Sequence, residues 1–241
     1  MIEFTFLGAN GSLQEKGSGN TSLIVGDGCF SVMIDVSVNL FAAVEADVDA
    51  LILTHEHIDH IYALPSLLHQ MWLSGRRKPL CIYCNSGISG LVNGLIDIFS
   101  LRQKKGIFEI KTDFCRSFSI GSLDFEMFCT EHTANSCGVV VRQNSLKLVY
   151  TGDTPPIENP PESLYGADVL IHEANSVTEK KKPDHSSGYD ASLLAVKTGA
   201  KKLVLCHLPK GDGEKEKILT EASSVFKDVC LPEVMKRYRI G

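Results

Sequence analysis

Six apolar segments of strand length each lead into an imidazole or a carboxylate. The polar residues that end or closely follow these segments are Asp35, His55, His132, Asp153, Glu173 and His207. Ligands of α/β proteins gather at the carboxyl ends of strands, and a random scatter of His and Asp would rarely choose these positions so often. Amphipathic helix patterns cover 63–73, 91–101, 191–197 and 215–226. The mixture predicts an α/β protein whose buried sheets are covered by helices.

Length and composition limit the class of protein. The 241 residues contain no repeat, low-complexity tract or long linker, which predicts a single domain over 1–241. A hydrophobic fraction of 44% is too high for disorder, and a net charge of -5 argues against a sequence-reading DNA binder. No apolar run reaches the roughly 18 residues of a membrane span, and no export signal opens the chain. We therefore expect a cytoplasmic protein without a membrane partner, whose eight scattered cysteines are reduced.

The segment Thr54–His60 contains three imidazoles and two carboxylates. Neutral imidazole nitrogen and carboxylate oxygen are ligands that suit zinc, manganese and iron. His55 and His57 are two residues apart, so an extended turn can aim both the same way. Asp59 and His60, if they enter the following helix, can point to a neighbouring position. The spacing therefore indicates two metal ions rather than one.

Together with a later His, Asp and His, this segment resembles the metallo-β-lactamase-fold hydrolases. The residues that carry the resemblance are His55, His57, Asp59, His60, His132, Asp153 and His207. The resemblance implies a four-layer αββα sandwich, in which two mixed sheets are flanked by helices and a dinuclear metal site lies on one edge. It implies zinc as the metal, with manganese or iron as alternatives.

The same resemblance assigns the ligands to two ions. They divide into one group of three, a second group of three and a bridging carboxylate: His55, His57 and His132; Asp59, His60 and His207; and Asp153. Asp35 would orient a ligand imidazole from behind, since such partners set the tautomer and the direction of the ring.

Other segments resemble the ribonuclease Z branch and its phosphodiesterase relatives. The most useful is His172-Glu173-Ala174 followed by Asp184-His185-Ser186-Ser187, because that branch places a Glu and a His beside the metals. Here the pair would be Glu173 and His185. The branch's tRNA-processing enzymes carry a long arm between the third and fourth metal motifs, and this chain has only residues 133–152 there. We therefore expect a small anionic or cyclic phosphodiester as the substrate, or RNA that is bound without such an arm. Because relatives of this branch are often dimers, we also expect a homodimer.

The expected reaction is phosphodiester hydrolysis by a hydroxide shared between the two ions. Metal binding lowers the pKa of water towards neutrality, so this nucleophile is available at pH 7. Asp59 could accept a proton from it, and His185 could protonate the leaving alkoxide while Glu173 holds the ring. The turn 185–188 precedes a predicted helix, which suggests an anion site at the helix start; the simpler interpretation is a serine N-cap.

Three other functions remain open from the sequence. The first is hydrolysis of a carbonyl substrate such as a lactone or thioester, in which the Glu173–His185 pair would have no evident task. The second is a metal-dependent redox enzyme, which His57 disfavours because the flavodiiron proteins carry Glu there. The third is a catalytically silent binding protein, which the complete ligand set disfavours because such a protein does not need it.

Overall fold

Two seven-stranded sheets dominate the computed structural model, which describes residues 1–241. The first six strands of the chain form the first sheet: β1 Ile2–Gly8, β2 Ser22–Gly26, β3 Ser31–Ile34, β4 Ala50–Leu53, β5 Leu80–Cys84 and β6 Ile110–Asp113. The next seven form the second sheet: β7 Ser117–Ile120, β8 Leu123–Cys129, β9 Cys137–Gln143, β10 Leu146–Tyr150, β11 Val169–Glu173, β12 Lys202–Cys206 and β13 Val229–Cys230. The last strand, β14 Arg237–Ile240, returns to the first sheet and pairs with β1.

Both sheets are mixed in the same way. Strands β3 to β6 of the first sheet and β10 to β13 of the second are parallel, and the remaining neighbours are antiparallel. The parallel strands β4 and β11 are buried at every position, as expected for strands covered on both faces. The edge strand β7 instead alternates between half-buried and exposed residues.

Helices cover the outer face of each sheet. Helices α1 Leu40–Glu45, α2 Ile58–Ile61, α3 Leu64–Leu73 and α4 Ser89–Ile98 lie with the first sheet, and their apolar faces share one buried cluster with it. Helices α5 Gly188–Thr198 and α6 Asp212–Val225 cover the second sheet. A third buried cluster, which includes Phe6, Phe125 and Tyr150, fills the space between the sheets.

The order helix, sheet, sheet, helix confirms the predicted αββα sandwich. The sequence pattern placed α3 within one residue of its observed start, but it missed β9. Gly138 interrupts the apolar pattern of that strand, and the structure shows why glycine is there: a Cβ atom would lie 2.2 Å from Cζ of Phe128. The ring of Phe128, on the neighbouring strand β8, occupies the space that a side chain at position 138 would need.

No helix in the structure combines the length and the apolar character needed to cross a membrane.

We propose that residues 1–241 unfold as a single domain, because Ile2 and Ile240 at the two ends of the chain belong to the cluster between the sheets. Trp72, the one tryptophan, lies in α3 on the first sheet, whereas far-ultraviolet circular dichroism reports on both sheets. We expect the two signals to follow the same urea transition. Two separated midpoints would contradict the proposal.

Candidate metal centre

The carboxylate of Asp153 lies where the ends of the two sheets meet. Four histidines point their Nε2 atoms at its Oδ2 atom, from distances of 3.1 Å for His207, 3.4 Å for His60, 3.7 Å for His132 and 3.8 Å for His55. Two ligand atoms on one tetrahedral zinc ion are about 3.4 Å apart, because each bond is about 2.1 Å long. The nitrogen and oxygen atoms therefore have the spacing of atoms that share metal ions.

The remaining ligand candidates complete two neighbouring groups. Within each group, one ligand atom per residue lies within 4.8 Å of the others: His55, His57, His132 and Asp153 in one; Asp59, His60 and His207 in the other. The structure thus brings together all seven residues that carried the sequence resemblance. Asp153 belongs to the first group and also touches His60 and His207 of the second.

The local fold of the segment after β4 separates the two groups. His55 follows the strand directly, and His57 has extended backbone angles at the start of α2. Asp59 and His60 lie within that short helix, and their ligand atoms group with that of His207 rather than with those of His57 and His132. Oδ2 of Asp59 lies 3.4 Å from Nε2 of His207, at the end of β12. A strand end, a turn and a helix thereby divide one short motif between two positions.

Asp35 holds this segment from behind. Its Oδ2 lies 2.7 Å from Nδ1 of His60, and its Oδ1 accepts hydrogen bonds from the backbone N–H and the hydroxyl of Thr54, at 2.9 and 3.0 Å. With Nδ1 engaged, the His60 ring has only Nε2 to offer the centre. Asp35 itself has φ of 57°, an uncommon conformation for a residue with a side chain, and His207 has φ of 51°.

His132 is oriented by a main-chain group. Its Nδ1 donates to the carbonyl oxygen of Asp184 at 2.7 Å, which leaves Nε2 to face the centre, 2.9 Å from Nδ1 of His57. His207 has Nδ1 3.3 Å from the side-chain amide of Asn175. Three of the ligand imidazoles therefore each have one nitrogen engaged behind and one directed inwards.

Three buried polar atoms at the centre have no hydrogen-bond partner: Nε2 of His55, Nε2 of His60 and Oδ1 of Asp153. Leaving buried polar atoms unpaired costs free energy, and such atoms need a specific explanation. Imidazole nitrogens and carboxylate oxygens are the donors that divalent ions such as zinc accept. The donor set fits a divalent metal site, and these atoms are the ones that would bind it.

The electrostatics of the buried groups fit the same interpretation. Burial and the neighbouring His60 lower the pKa of His55 to about 2, so its ring is neutral, as metal binding requires. Burial opposes a charge on His60, but Asp153 and Asp35 outweigh it and raise the pKa of His60 well above its usual value. Burial likewise opposes a charge on Asp153, yet His207 and His60 lower the pKa of that carboxyl well below the usual range. The carboxylates therefore favour positive charge at this position.

Glu173 and His185 form a pair beside the centre. Nδ1 of His185 lies 2.9 and 3.0 Å from the two carboxyl oxygens of Glu173, which also accepts the backbone N–H of Thr154 at 2.6 Å. His185 also places a ring nitrogen within 4.8 Å of ligand atoms of Asp153 and His207. Burial and the nearby Asp153 raise the pKa of Glu173 well above its usual value, while burial lowers the pKa of His185. Burial thus favours the uncharged form of both side chains.

The predicted anion site at the start of α5 is wrong. Ser187 is the N-cap, and its hydroxyl accepts the backbone N–H of Asp190 at 3.2 Å. The carboxylate of Asp190 accepts the N–H of Ser187 in return, and Glu221 accepts the N–H of Tyr189. The chain's own acceptors therefore occupy the donors that a substrate anion would need, which leaves the simpler N-cap interpretation.

Several residues of the site carried no signal in the sequence. Thr54 binds Asp35, Ser12 donates to Oδ2 of Asp59 at 3.0 Å, and Asn175 and the carbonyl of Asp184 orient ligand rings. These contacts join residues far apart in the chain, or use a main-chain atom that every residue has. These contacts therefore could not be predicted from the residue types alone.

The chain is similar to a family of known proteins and to several solved structures. A family profile described as "Beta-lactamase superfamily domain" matches residues 31–208. Ribonuclease Z of Sulfolobus acidocaldarius is 22% identical over 300 aligned positions, which cover 99% of this chain and 98% of that protein. Ribonuclease Z of Ignicoccus hospitalis is 27% identical over 226 positions, covering 72% and 74% of the two chains.

Two solved structures share the fold along nearly the whole chain. The metallo-beta-lactamase fold protein YhfI from Bacillus subtilis superposes with a TM-score of 0.82 at 22% identity, covering 98% of each chain. The short form of human tRNase Z superposes with a TM-score of 0.77 at 19% identity, covering 99% of this chain and 98% of that one. The matched family segment contains every residue of the two ligand groups. The chain belongs to the beta-lactamase superfamily.

Proposed function

We propose that this protein is a metal-dependent hydrolase of phosphodiester bonds. The observation that carries the proposal is the convergence of four imidazoles on Asp153, with three buried donor atoms left for metal. The substrate class is supported by relatives named ribonuclease Z that align over almost their full length. A structural neighbour described as a diphosphatase of the PhnP family, with a TM-score of 0.75, is consistent with it.

We assign two divalent ions to the centre, and zinc remains the predicted metal. His55, His57 and His132 would hold one ion, Asp59, His60 and His207 the other, and Asp153 would bridge them. When bound, the ions act as Lewis acids on the phosphoryl oxygens and lower the pKa of water towards neutrality. The side chains around them then have to supply position and proton transfer.

His185 is placed to protonate the leaving alkoxide. Its Nδ1 faces both oxygens of Glu173, so Nε2 is the atom free to donate, and a proton from Glu173 can replace the one that leaves. Asp59 is placed to accept the proton of the attacking water, because Ser12 donates a hydrogen bond to its Oδ2 atom and holds the carboxylate in position. In this scheme Asp59, Glu173 and His185 are the catalytic residues.

The relatives named ribonuclease Z favour phosphodiester over carbonyl substrates. An alkoxide leaving from phosphorus needs a proton as the bond breaks, and the Glu173–His185 pair supplies one. Between His132 and Asp153 the chain forms only the short hairpin of β9 and β10, which has no room for an arm. A small or cyclic phosphodiester therefore stands beside RNA as the proposed substrate. A homodimer and a cytoplasmic location remain predictions.

The ligand assignment predicts metal stoichiometry. We expect the zinc-loaded protein to hold two ions per chain by elemental analysis, and the His207→Ala variant to hold fewer. Activity on bis(p-nitrophenyl) phosphate should fall more than about a hundredfold, since removing even an orienting residue costs about 10- to 100-fold.

His69→Ala is the matched control, because His69 lies in α3 against Trp72 and outside both ligand groups. Unchanged metal content in His207→Ala would contradict the assignment.

The role of His185 predicts a loss of activity without a loss of metal. His185→Gln should lower kcat on a phosphodiester with an alkoxide leaving group, such as a dinucleoside phosphate, by about 10²- to 10⁴-fold, the usual contribution of a positioned acid, while two ions stay bound. Bis(p-nitrophenyl) phosphate should lose less, because its p-nitrophenolate leaving group needs less protonation.

Comparable losses for good and poor leaving groups would argue against proton donation by His185. Turnover of a lactone or thioester without any phosphodiester turnover would replace the proposed function by the carbonyl alternative. Bound iron with redox-dependent absorbance, or no turnover at all, would favour the redox or the silent alternative.

A further inference from the structure

A cavity of about 280 Å³ opens beside His185. We call it the lysine pocket, after Lys180, Lys182 and Lys210 in its wall; Ser12, His185 and Glu214 also line it. It lies outside the two ligand groups, and the proposed mechanism uses none of its lysines. Its size is sufficient for a phosphate group and part of a sugar.

The charges of the lysine pocket are unbalanced. Lys180 is paired with Glu214 at 3.1 Å, and the same carboxylate also binds Lys217 at 3.0 Å. No carboxylate lies within 4.0 Å of the ammonium group of Lys182 or Lys210. The one acid in the wall is thus already shared, and two ammonium groups remain to attract an anion.

The lysine pocket borders the metal centre. His185 belongs to its wall and places a ring nitrogen beside Asp153 and His207. Ser12, also in the wall, donates to Oδ2 of Asp59. A substrate whose reacting phosphate lies against the metal centre can therefore place a neighbouring group beside His185 and Ser12, in the wall of the pocket.

We infer that the lysine pocket binds a second phosphate of the substrate, so that the enzyme prefers a nucleotide-type phosphodiester bearing another phosphate group over a simple diester. This inference rests on the proposed function. The reacting phosphate would lie at the metal centre, and Lys182 and Lys210 would bind the neighbouring one.

Two matched substrates test the inference. Thymidine 5′-(p-nitrophenyl phosphate) has one diester, and the same compound with a 3′-phosphate carries the second anion. We expect the bisphosphorylated compound to have a KM about tenfold lower, the effect of two exposed ion pairs. In Lys182→Gln/Lys210→Gln the ratio of the two KM values should fall to about one.

The matched control is Lys201→Gln/Lys202→Gln, which removes the same charge at the start of β12, the opposite end of the strand that leads to His207. It should keep the ratio of the wild type. Equal KM values for the two substrates in the wild type, or a ratio that survives in the pocket variant, would overturn the inference.

A binding measurement separates this inference from the proposed function. Calorimetric titration of the protein with thymidine 3′,5′-bisphosphate and with thymidine 5′-monophosphate needs no turnover. Tighter binding of the bisphosphate that is lost in the pocket variant supports the lysine pocket even when neither substrate is hydrolysed. Equal binding of the two nucleotides counts against it even if the phosphodiesterase activity is found.

An independent observation concerns Cys129 and Cys137. They are directly opposite each other on the antiparallel strands β8 and β9. The N–H of Cys137 donates to the carbonyl of Thr54, and that of Thr130 to the carbonyl of Ser136, so the cysteines form a non-hydrogen-bonded pair. Cα atoms in such pairs are about 4.5 Å apart, within the range of about 4.4–6.8 Å that disulfides span.

The cysteine pair encloses part of the metal centre. The seven residues between the two strands include His132. Sγ of Cys137 donates to the carbonyl of Thr54 at 3.3 Å, directly before His55. Cys129 is exposed and Cys137 is buried, and both line a small cavity of about 90 Å³ with Cys84. A small oxidant can therefore reach the pair from the side of Cys129.

We propose that Cys129 and Cys137 are a site of reversible oxidation by low-molecular-weight disulfides. The Cys129 thiolate attacks the reagent disulfide, forms a mixed disulfide and releases one thiol. The Cys137 sulfur then displaces the second thiol, so that one reagent disulfide is reduced to two thiols while the Cys129–Cys137 disulfide forms. The product closes the loop that carries His132.

Mass analysis after incubation with oxidised glutathione tests this proposal. The tryptic peptide 117–142 contains both cysteines and no others, so the disulfide lowers its mass by two hydrogens. Cleavage after Glu126 and Glu131 should leave the parts 127–131 and 132–142 joined until dithiothreitol is added. Cys137→Ala should instead carry glutathione on Cys129, and the Cys115→Ser control should behave as the wild type. Stable glutathione on Cys129 of the wild type, or a link to Cys84, would overturn the proposal.

Discussion

The mutual attraction of Asp153 and the surrounding imidazoles is the interaction on which the site depends. Four rings from three different parts of the chain approach one carboxylate oxygen, and that oxygen is buried. A buried carboxylate is costly unless positive charge compensates it. Protonated His60 or a divalent cation can provide that charge, and the unpartnered nitrogens of His55 and His60 are directed to the same place. The centre is therefore built to hold cations.

The two sheets create this arrangement by ending at the same edge of the sandwich. Strands β3 and β4 of the first sheet lead to Asp35 and His55, and β10 and β12 of the second lead to Asp153 and His207. The apolar cluster between the sheets sets their separation, so packing far from the centre controls the ligand distances. Behind the ligands, Asp35 joins the two sheets through Thr54, His60 and the hydroxyl of Tyr150. Buried hydrogen bonds of this kind fix the rings before any ligand arrives.

Different groups of side chains around the centre would contribute to different parts of the reaction. The Glu173–His185 pair lies next to the ligands, and His185 also lines the lysine pocket. His185 thus borders both the position proposed for the reacting phosphate and the pocket proposed for its neighbour. On another side, the loop with His132 begins and ends at a cysteine. Proton transfer, anion recognition and thiol chemistry would then all act within reach of one metal centre.

The ligand types and the class of fold follow from the order of the amino acids alone. Strand-length apolar runs that end in His or Asp predict buried sheets with a polar edge, and the spacing from His55 to His60 predicts two ligand groups, because a strand end and a helix turn direct side chains differently. Tertiary structure decided the remainder. The opposite positions of Cys129 and Cys137, the carbonyl of Asp184 behind His132, the unbalanced lysines beside His185 and the occupied start of α5 all depend on residues that meet only after folding. Local patterns report on residues within a few positions of one another, whereas distances between strands and loops are set by how the two sheets pack.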